Sequence, residues 1–419
     1  MKPPAANKRR AIVASFLSVA VVYLLSASFL VSSLDLVQHQ SLLQPPAPSN
    51  KVSRESDSHH DVGSSNSDHE MPIYTTEMAA QAIRPAPWTC GHPNKAIADP
   101  LTHQQSFFAF VHIYKTAGST LRSFFHAYAY VCHKGWMCLI GCVKVKSSSI
   151  QSQGEWEPCR VKNVMIGEDN VMEEEGTEDR QYPSVNNTVP KNNIDIIGGH
   201  FRIGTGDYVL EKKSDIHPVR HIVFLRDPMD RFVSGILYER HRDNDNLAQI
   251  VDLIKGRVRG SRAANDYWDK SSNYLLTPEQ AEEFESYQSE LLEVTPTSGL
   301  TPKGQFAKTR ALLAIHNLAR YNAIVGMTER MDESMEMLKH VLLALASEEK
   351  IEQLERYTNG TKHNESNKVS TASVVEELKK DTDFMPVFDE YVKYERMIND
   401  YAMNMHLMQY SQMKQSAGS

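Results

Sequence analysis

The chain has 419 residues, 41% of them hydrophobic and 23% charged, with 52 acidic against 45 basic side chains and a formal net charge of -7. That composition excludes a wholly disordered chain and a polytopic membrane protein, and at ~150 residues per domain the length allows two or three domains or one large domain with appendages. An acidic total also argues against a general nucleic-acid binder, whose surface has to neutralise backbone phosphates.

Residues 11–34, AIVASFLSVAVVYLLSASFLVSSL, contain no charged side chain and are long enough for a helix that crosses a hydrocarbon core, which takes ~20 residues. Lys2, Lys8, Arg9 and Arg10 precede them, so the positive-inside rule keeps residues 1–10 cytosolic and sends the rest across. The span exceeds the ~7–15 apolar residues of a cleaved signal peptide, which predicts a type II transmembrane signal anchor. Residues 35–87 are rich in Ser, Pro, Asp and His and read as a disordered stem. His59, His60 and His69 lie in it without Cys partners, and read as solvated in preference to metal-bound. The exported domain is then 88–419.

Its five cysteines, Cys90, Cys132, Cys138, Cys142 and Cys159, form no CxxC pair, and an exported location favours disulfides over zinc. Their connectivity is not readable, and the odd count leaves one thiol over or pairs it between subunits. Sequons at Asn186, Asn359 and Asn364 fit the secretory route. Apolar runs of strand length at Phe107–Ile113, Ile194–Ile197 and His221–Leu225 alternate with helical patterns, which predicts an α/β fold with a mainly parallel central sheet flanked by helices. The segment EDNVMEEEGTED from Glu168 to Asp179 reads as an exposed acidic insertion. Helices are expected over Thr309–Tyr321, Asp332–Ala346, Val374–Lys380 and Met385–His406, with Met331, Met335 and Leu338 at core spacing.

Two strand ends carry chemistry. After the first comes Tyr114-Lys115-Thr116-Ala117-Gly118-Ser119-Thr120 and then a helical pattern; a Gly and small hydroxyl residues at such a turn let backbone N–H groups converge on an anion, with Lys115 as a mobile cation beside them. The Lys precedes the Gly, unlike a Walker A loop, which disfavours an ordinary ATPase or kinase. After the third comes LRDPMDRFVSGILYER: Asp227 can cap the following helix, Pro228 suits its first turn, and Arg226 with Ser234 can hold a second phosphate. Arg231, Ser234 and Tyr238 share one helical face. The blander alternative is that Arg226 pairs with Asp227 or Asp230.

HIYKTAGST resembles the 5′-phosphosulfate loop, and LRDPMDRFVS the 3′-phosphate motif, of Golgi carbohydrate sulfotransferases that use 3′-phosphoadenosine 5′-phosphosulfate (PAPS). NLARYNAIVGMTERMDESMEML is similar to a segment of the heparan sulfate 2-O- and uronyl 2-O-sulfotransferases, so the resemblance runs over roughly residues 105–400. It implies a P-loop-like sulfotransferase fold behind the anchor, in the Golgi membrane with the catalytic domain lumenal. It further implies that Lys115 contacts the oxygen bridging phosphate and sulfate, that Thr116, Ala117, Gly118, Ser119 and Thr120 cradle the 5′-phosphate, and that Arg226 and Ser234 hold the 3′-phosphate. No metal is required.

His200 matches the histidine regarded as general base in the 2-O-sulfotransferases. Some relatives have His-Gly-His where this chain has Gly198-Gly199-His200, so a mechanism needing two histidines calls on His112 or another residue. The chemistry agrees with the assignment: an in-line sulfuryl transfer needs a base on the acceptor hydroxyl and positive charge on the leaving phosphate oxygen. Arg202 and Asn273 are candidates for acceptor contacts. Lys255, Arg257, Arg259 and Arg262 form a local basic patch, either for an acidic polysaccharide or merely solvated. The expected reaction is 2-O-sulfation of a uronic-acid-containing polysaccharide by a chain that can form a homo-oligomer. Transfer to another acceptor (neutral or fucosylated glycan, protein tyrosine) and a non-catalytic nucleotide- or glycan-binding module stay open.

Overall fold

The computed structural model describes residues 71–86, 90, 107–140, 160–166, 169–172, 194–209, 219–239, 245–259, 270–291, 302–344, 346–359 and 369–417. The predicted anchor, Cys142, Cys159, Arg262 and the sequons at Asn186 and Asn364 lie outside the described residues, as does the side chain of Asn359.

The organising element is a seven-stranded sheet of order β4-β3-β2-β5-β1-β6-β7. Its strands are β1 (Phe107–Val111), β2 (Gly135–Ile140), β3 (Arg160–Ile166), β4 (Asp169–Met172), β5 (Ile196–Gly199), β6 (Val219–Leu225) and β7 (Ile324–Met327). All pairings from β2 to β7 across the sheet are parallel, while β2–β3 and β3–β4 are antiparallel. The parallel part is the predicted one. The expected acidic insertion is corrected in part, because Asp169–Met172 is the edge strand β4. An edge strand needs only one backbone partner and no buried face, so hydropathy did not announce it.

The apolar runs are continuous because both faces of the sheet are covered. Phe107, Ala109 and Val111 of β1 enter one cluster with Leu275, Ile315, Leu318, Ala402 and Met405. Those partners come from α6 (Lys270–Leu275), α8 (Pro302–Arg320) and α13 (Lys393–Ala417). Phe108 and Phe110 point the other way, to Phe125 and Tyr128 of α2 (Gly118–Cys132) and Leu338 and Val341 of α9 (Met331–Leu343). Met331 and Met335 pack against that second cluster, as their spacing predicted. A third cluster joins α4 (Pro228–Glu239) and α5 (Leu247–Arg259) to α11 (Thr371–Lys379) and α12 (Phe384–Tyr391). Short α3 (Thr205–Val209), α7 (Pro278–Leu291) and α10 (Glu348–Asn359) are the other described α-helices after β1.

Two further expectations are corrected. The stem was placed up to residue 87, but α1 (Thr76–Ala82) belongs to the folded unit: Ala79 is fully buried, Tyr74 Oη donates to Asn322 Oδ1 at 2.9 Å, and Ile83 and Ala86 enter the second cluster. Met385–His406 is two helices rather than one, broken at Val392, whose side chain is buried in the third cluster. Of the basic patch, whose reading the sequence leaves open, Lys255 pairs with Asp381 at 2.6 Å and Arg257 with Glu239 at 3.1 Å. A disulfide joins Cys90 to Cys132 at the end of α2.

Candidate active site

Parallel strands deliver their carboxyl ends to one edge, where α/β proteins bind ligands. The register sets Val111 beside Gly199 and Val223, so the segments after β1, β5 and β6 are neighbours there. The turn after β1 combines a strained backbone with an uncapped helix start. Lys115 (φ 65) and Ala117 (φ 57) both adopt the left-handed conformation, which costs a non-glycine residue ~1–2 kcal/mol. Ala117 occupies the N-cap of α2 and offers no side-chain cap. The first N–H groups of a helix have no intrahelical acceptor, so this uncapped end, with its positive dipole, is left to bind a negative group. Strain of this kind concentrates at functional sites.

The individual side chains then sort themselves. Thr116 is buried and its Oγ1 donates to Ile113 O at 2.8 Å, so its hydroxyl locks the turn. Ser119 is exposed and Thr120 half-buried at the start of α2. The Lys115 ammonium lies 4.1 Å from the centroid of the Tyr238 ring and 5.7 Å from that of Tyr114, a cation–π arrangement. Burial lowers the Lys115 pKa, and the nearby positive charge of Arg226 lowers it further. Two cations from two strand ends are therefore held close enough to repel, and an anion between them relieves that repulsion.

The second turn is fixed by its carboxylates. Asp227 Oδ1 accepts from the N–H groups of Met229 at 2.8 Å and Asp230 at 3.1 Å, the expected N-cap of α4. Glu329, just past β7, accepts from the N–H of Asp227. Arg226 is 3.8 Å from Asp230, a long contact for an ion pair. Ser234 is half-buried on α4. Arg231 turns inward to pair with Glu395 at 3.1 Å, the two side chains being 5% and 7% exposed.

The third turn carries His200. Gly199 before it has φ +145, and a Cβ there would meet Leu139 O at 1.8 Å, so no other residue fits this close passage beside β2. His200 Nδ1 lies 2.9 Å from His112 O and 3.3 Å from Tyr274 Oη. A carbonyl oxygen can only accept, so Nδ1 carries the proton and Nε2 the lone pair in the neutral ring. The rings of His112 and His200 stack with centroids 4.1 Å apart. His112 thus supplies a second imidazole at this edge from the neighbouring strand. Burial, then the charges of His200, Arg122 and Lys115, hold its pKa well below the usual imidazole value.

The two acceptor candidates lie together. Arg202, 4% exposed, donates through Nη1 to Asn273 O at 3.3 Å, and Arg310 donates to Asn273 Oδ1. Asn273 is engaged by two guanidinium groups and serves to position them beside Tyr274, whose phenol burial pushes up to about 12. Sequence reasoning missed Tyr274 and Arg310, which carry no motif of their own. A cleft of about 890 Å³ opens beside Asp227, lined among others by Lys308, Lys379, Lys393, Arg396 and Asp389.

No curated protein and no solved structure matches the chain significantly. The family profile that does match is described as the sulfotransferase family, over residues 101–388, a span that contains all three turns. A strained turn with its lysine after β1, a second basic turn after the adjoining strand β6 and a histidine of fixed tautomer after β5 on the other side fit that match, and the chain belongs to the sulfotransferase family.

Proposed function

We propose that this sulfotransferase moves a sulfuryl group from PAPS to a hydroxyl of an acidic glycan, by 2-O-sulfation of a uronic-acid-containing polysaccharide, in the Golgi lumen behind a type II anchor. The observation that carries the reading is the convergence of Lys115, Arg226 and His200 at one sheet edge. The uncapped start of α2, with Gly118, Ser119 and Thr120, suits the 5′-phosphate, and Arg226 with Ser234 suits the 3′-phosphate. The donor, when bound, supplies the sulfuryl group.

The chain's own residues then have three tasks. Lys115 places a positive charge where the leaving phosphate oxygen gains negative charge. His200, protonated on Nδ1, offers Nε2 to the acceptor hydroxyl; on taking its proton, the ring keeps its Nδ1 bond to His112 O, and Tyr274 Oη steadies it. For an anionic acceptor the reading draws on the cleft beside Asp227, lined by Lys308 and Lys379 as well as by Asp389 and Asp400.

The test is an acceptor panel. Full-length protein, labelled PAPS and a set of uronic-acid polysaccharides, neutral glycans and a tyrosine peptide are incubated in parallel. Label on the 2-hydroxyl of a uronic acid supports the reading; label only on a neutral glycan or tyrosine overturns the acceptor assignment.

A further inference from the structure

Among the described residues His112 makes no hydrogen bond through its ring. Its Nδ1 is buried without a partner, and the ring is 7% exposed. What the side chain contributes is its plane. One face stacks on His200 at 4.1 Å and 26°, and Phe110 lies 5.8 Å away at 14°. The edge of the same ring lies directly against Gly118: a Cβ built there would fall 1.5 Å from Nε2 and 2.0 Å from Cε1. Gly118 is the first residue of α2, so the ring touches the anion turn and the candidate base at once.

We propose that the His112 side chain is a positioning residue: a planar wedge whose stacking holds the His200 ring in its working orientation and ties that orientation to the donor-binding turn. The inference rests on His200 being the base. It adds that the hydrogen bond to His112 O, a main-chain interaction, is not sufficient. The contacts of Nδ1 with His112 O and Tyr274 Oη act at one corner of the ring, stacking adds a constraint on its plane, and a displacement of ~1 Å at a reacting group is enough to cost ~100-fold in rate. The flat surface of His112 supplies that constraint, while the glycine at 118 leaves room for the wedge. The charged groups around it are Lys115 on the turn and Arg122 on α2, with His200 beyond β5.

The experiment compares His112→Phe, which keeps a plane of similar size, with His112→Leu, which fills space without one. Both keep the main-chain carbonyl. Binding of 3′-phosphoadenosine 5′-phosphate, measured by calorimetry, reports folding and the donor site. The His200 Hε1 resonance, which a stacked aromatic ring shifts upfield, reports ring placement without needing an acceptor. The expected result is nucleotide affinity within about threefold of wild type in both variants. The His200 shift is kept in His112→Phe and lost in His112→Leu. With a uronic-acid polysaccharide as acceptor, kcat stays within about threefold in His112→Phe and falls at least ~30-fold in His112→Leu, with the donor KM unchanged.

Two results would overturn the proposal. An unmoved His200 signal with unimpaired turnover in His112→Leu means that the side chain only fills space. Equal impairment of both variants means that an imidazole nitrogen acts directly. His200→Ala, assayed in parallel, separates this inference from the one beneath it: a fully active His200→Ala removes the base itself, whereas an inactive His200→Ala beside an active His112→Leu removes only the wedge.

Discussion

The ion pair between Arg231 and Glu395 offers a quantitative test of how the site is held. Its side chains are 5% and 7% exposed and 3.1 Å apart, and the other Glu395 oxygen accepts from the Ser271 N–H at 3.1 Å. The carboxylate thus joins α4, which follows Arg226, to α13 and to the start of α6, three residues before Tyr274. Removing one partner of a buried pair leaves the other charge uncompensated, at a cost of ~3–5 kcal/mol. Arg231→Met is expected to lose that amount, and Glu395→Gln a similar amount because the guanidinium then lacks its anion. The double variant keeps an amide oxygen for the Ser271 N–H and carries no buried charge, so it is expected within ~1–2 kcal/mol of wild type. Denaturant unfolding at neutral pH measures all three, and the half-exposed pair Lys339–Glu355, 37% and 47% exposed, serves as a control worth ~0.5 kcal/mol or less. Single losses below ~1 kcal/mol, or losses that add in the double variant to within ~0.5 kcal/mol, would refute the reasoning.

Other consequences are equally direct. Burial pushes the Asp207 carboxyl up to about 6, against the opposing charge of Arg320; with an unfolded value of ~3.9, the native state carries a penalty above pH 6 that is relieved as pH falls towards 4. Asp207→Asn should therefore stabilise by ~1–2 kcal/mol at pH 7.5 and not at pH 4, as read from denaturant midpoints. His221, held down to about 4 by burial, works in the opposite sense: its folded value lies below the unfolded ~6.5, so stability is lost as pH drops through that window, and Asp207→Asn should be more acid-sensitive than wild type. Opening the Cys90–Cys132 link, 42 residues apart in sequence, should cost ~4 kcal/mol by the chain-entropy relation, checked by unfolding Cys90→Ser/Cys132→Ser beside wild type. Lys308→Glu/Lys379→Glu should raise the KM for an acidic polysaccharide about tenfold or more and leave nucleotide affinity unchanged, which steady-state kinetics resolves.

What the sequence made legible was local and periodic. Phe107–Val111 reads as a buried strand because both its faces are covered, and Asp227 announces a helix start because an aspartate followed by proline suits N-cap and first turn. Lys115, Gly118 and Arg226 were legible because turns after strands use few residue types. The remaining features depend on contacts distant in sequence. Nothing near Asn273 signals that its two carbonyl oxygens receive Arg202 and Arg310. Nor does the single histidine after Gly199 reveal that His112 lies against it, since only the β1–β5 register brings them together. Residues Thr76–Ala82 follow a polar segment and read as stem, yet the few apolar groups around them find a place on the domain.

The central claim is that His200 is the base of a PAPS-dependent sulfuryl transfer. The most direct measurement is incorporation of labelled sulfate into a uronic-acid polysaccharide by wild type and His200→Ala, with 3′-phosphoadenosine 5′-phosphate affinity determined for both. The account predicts a fall in kcat of ~10²- to 10⁴-fold with nucleotide affinity preserved. Transfer by His200→Ala at the wild-type rate would contradict it.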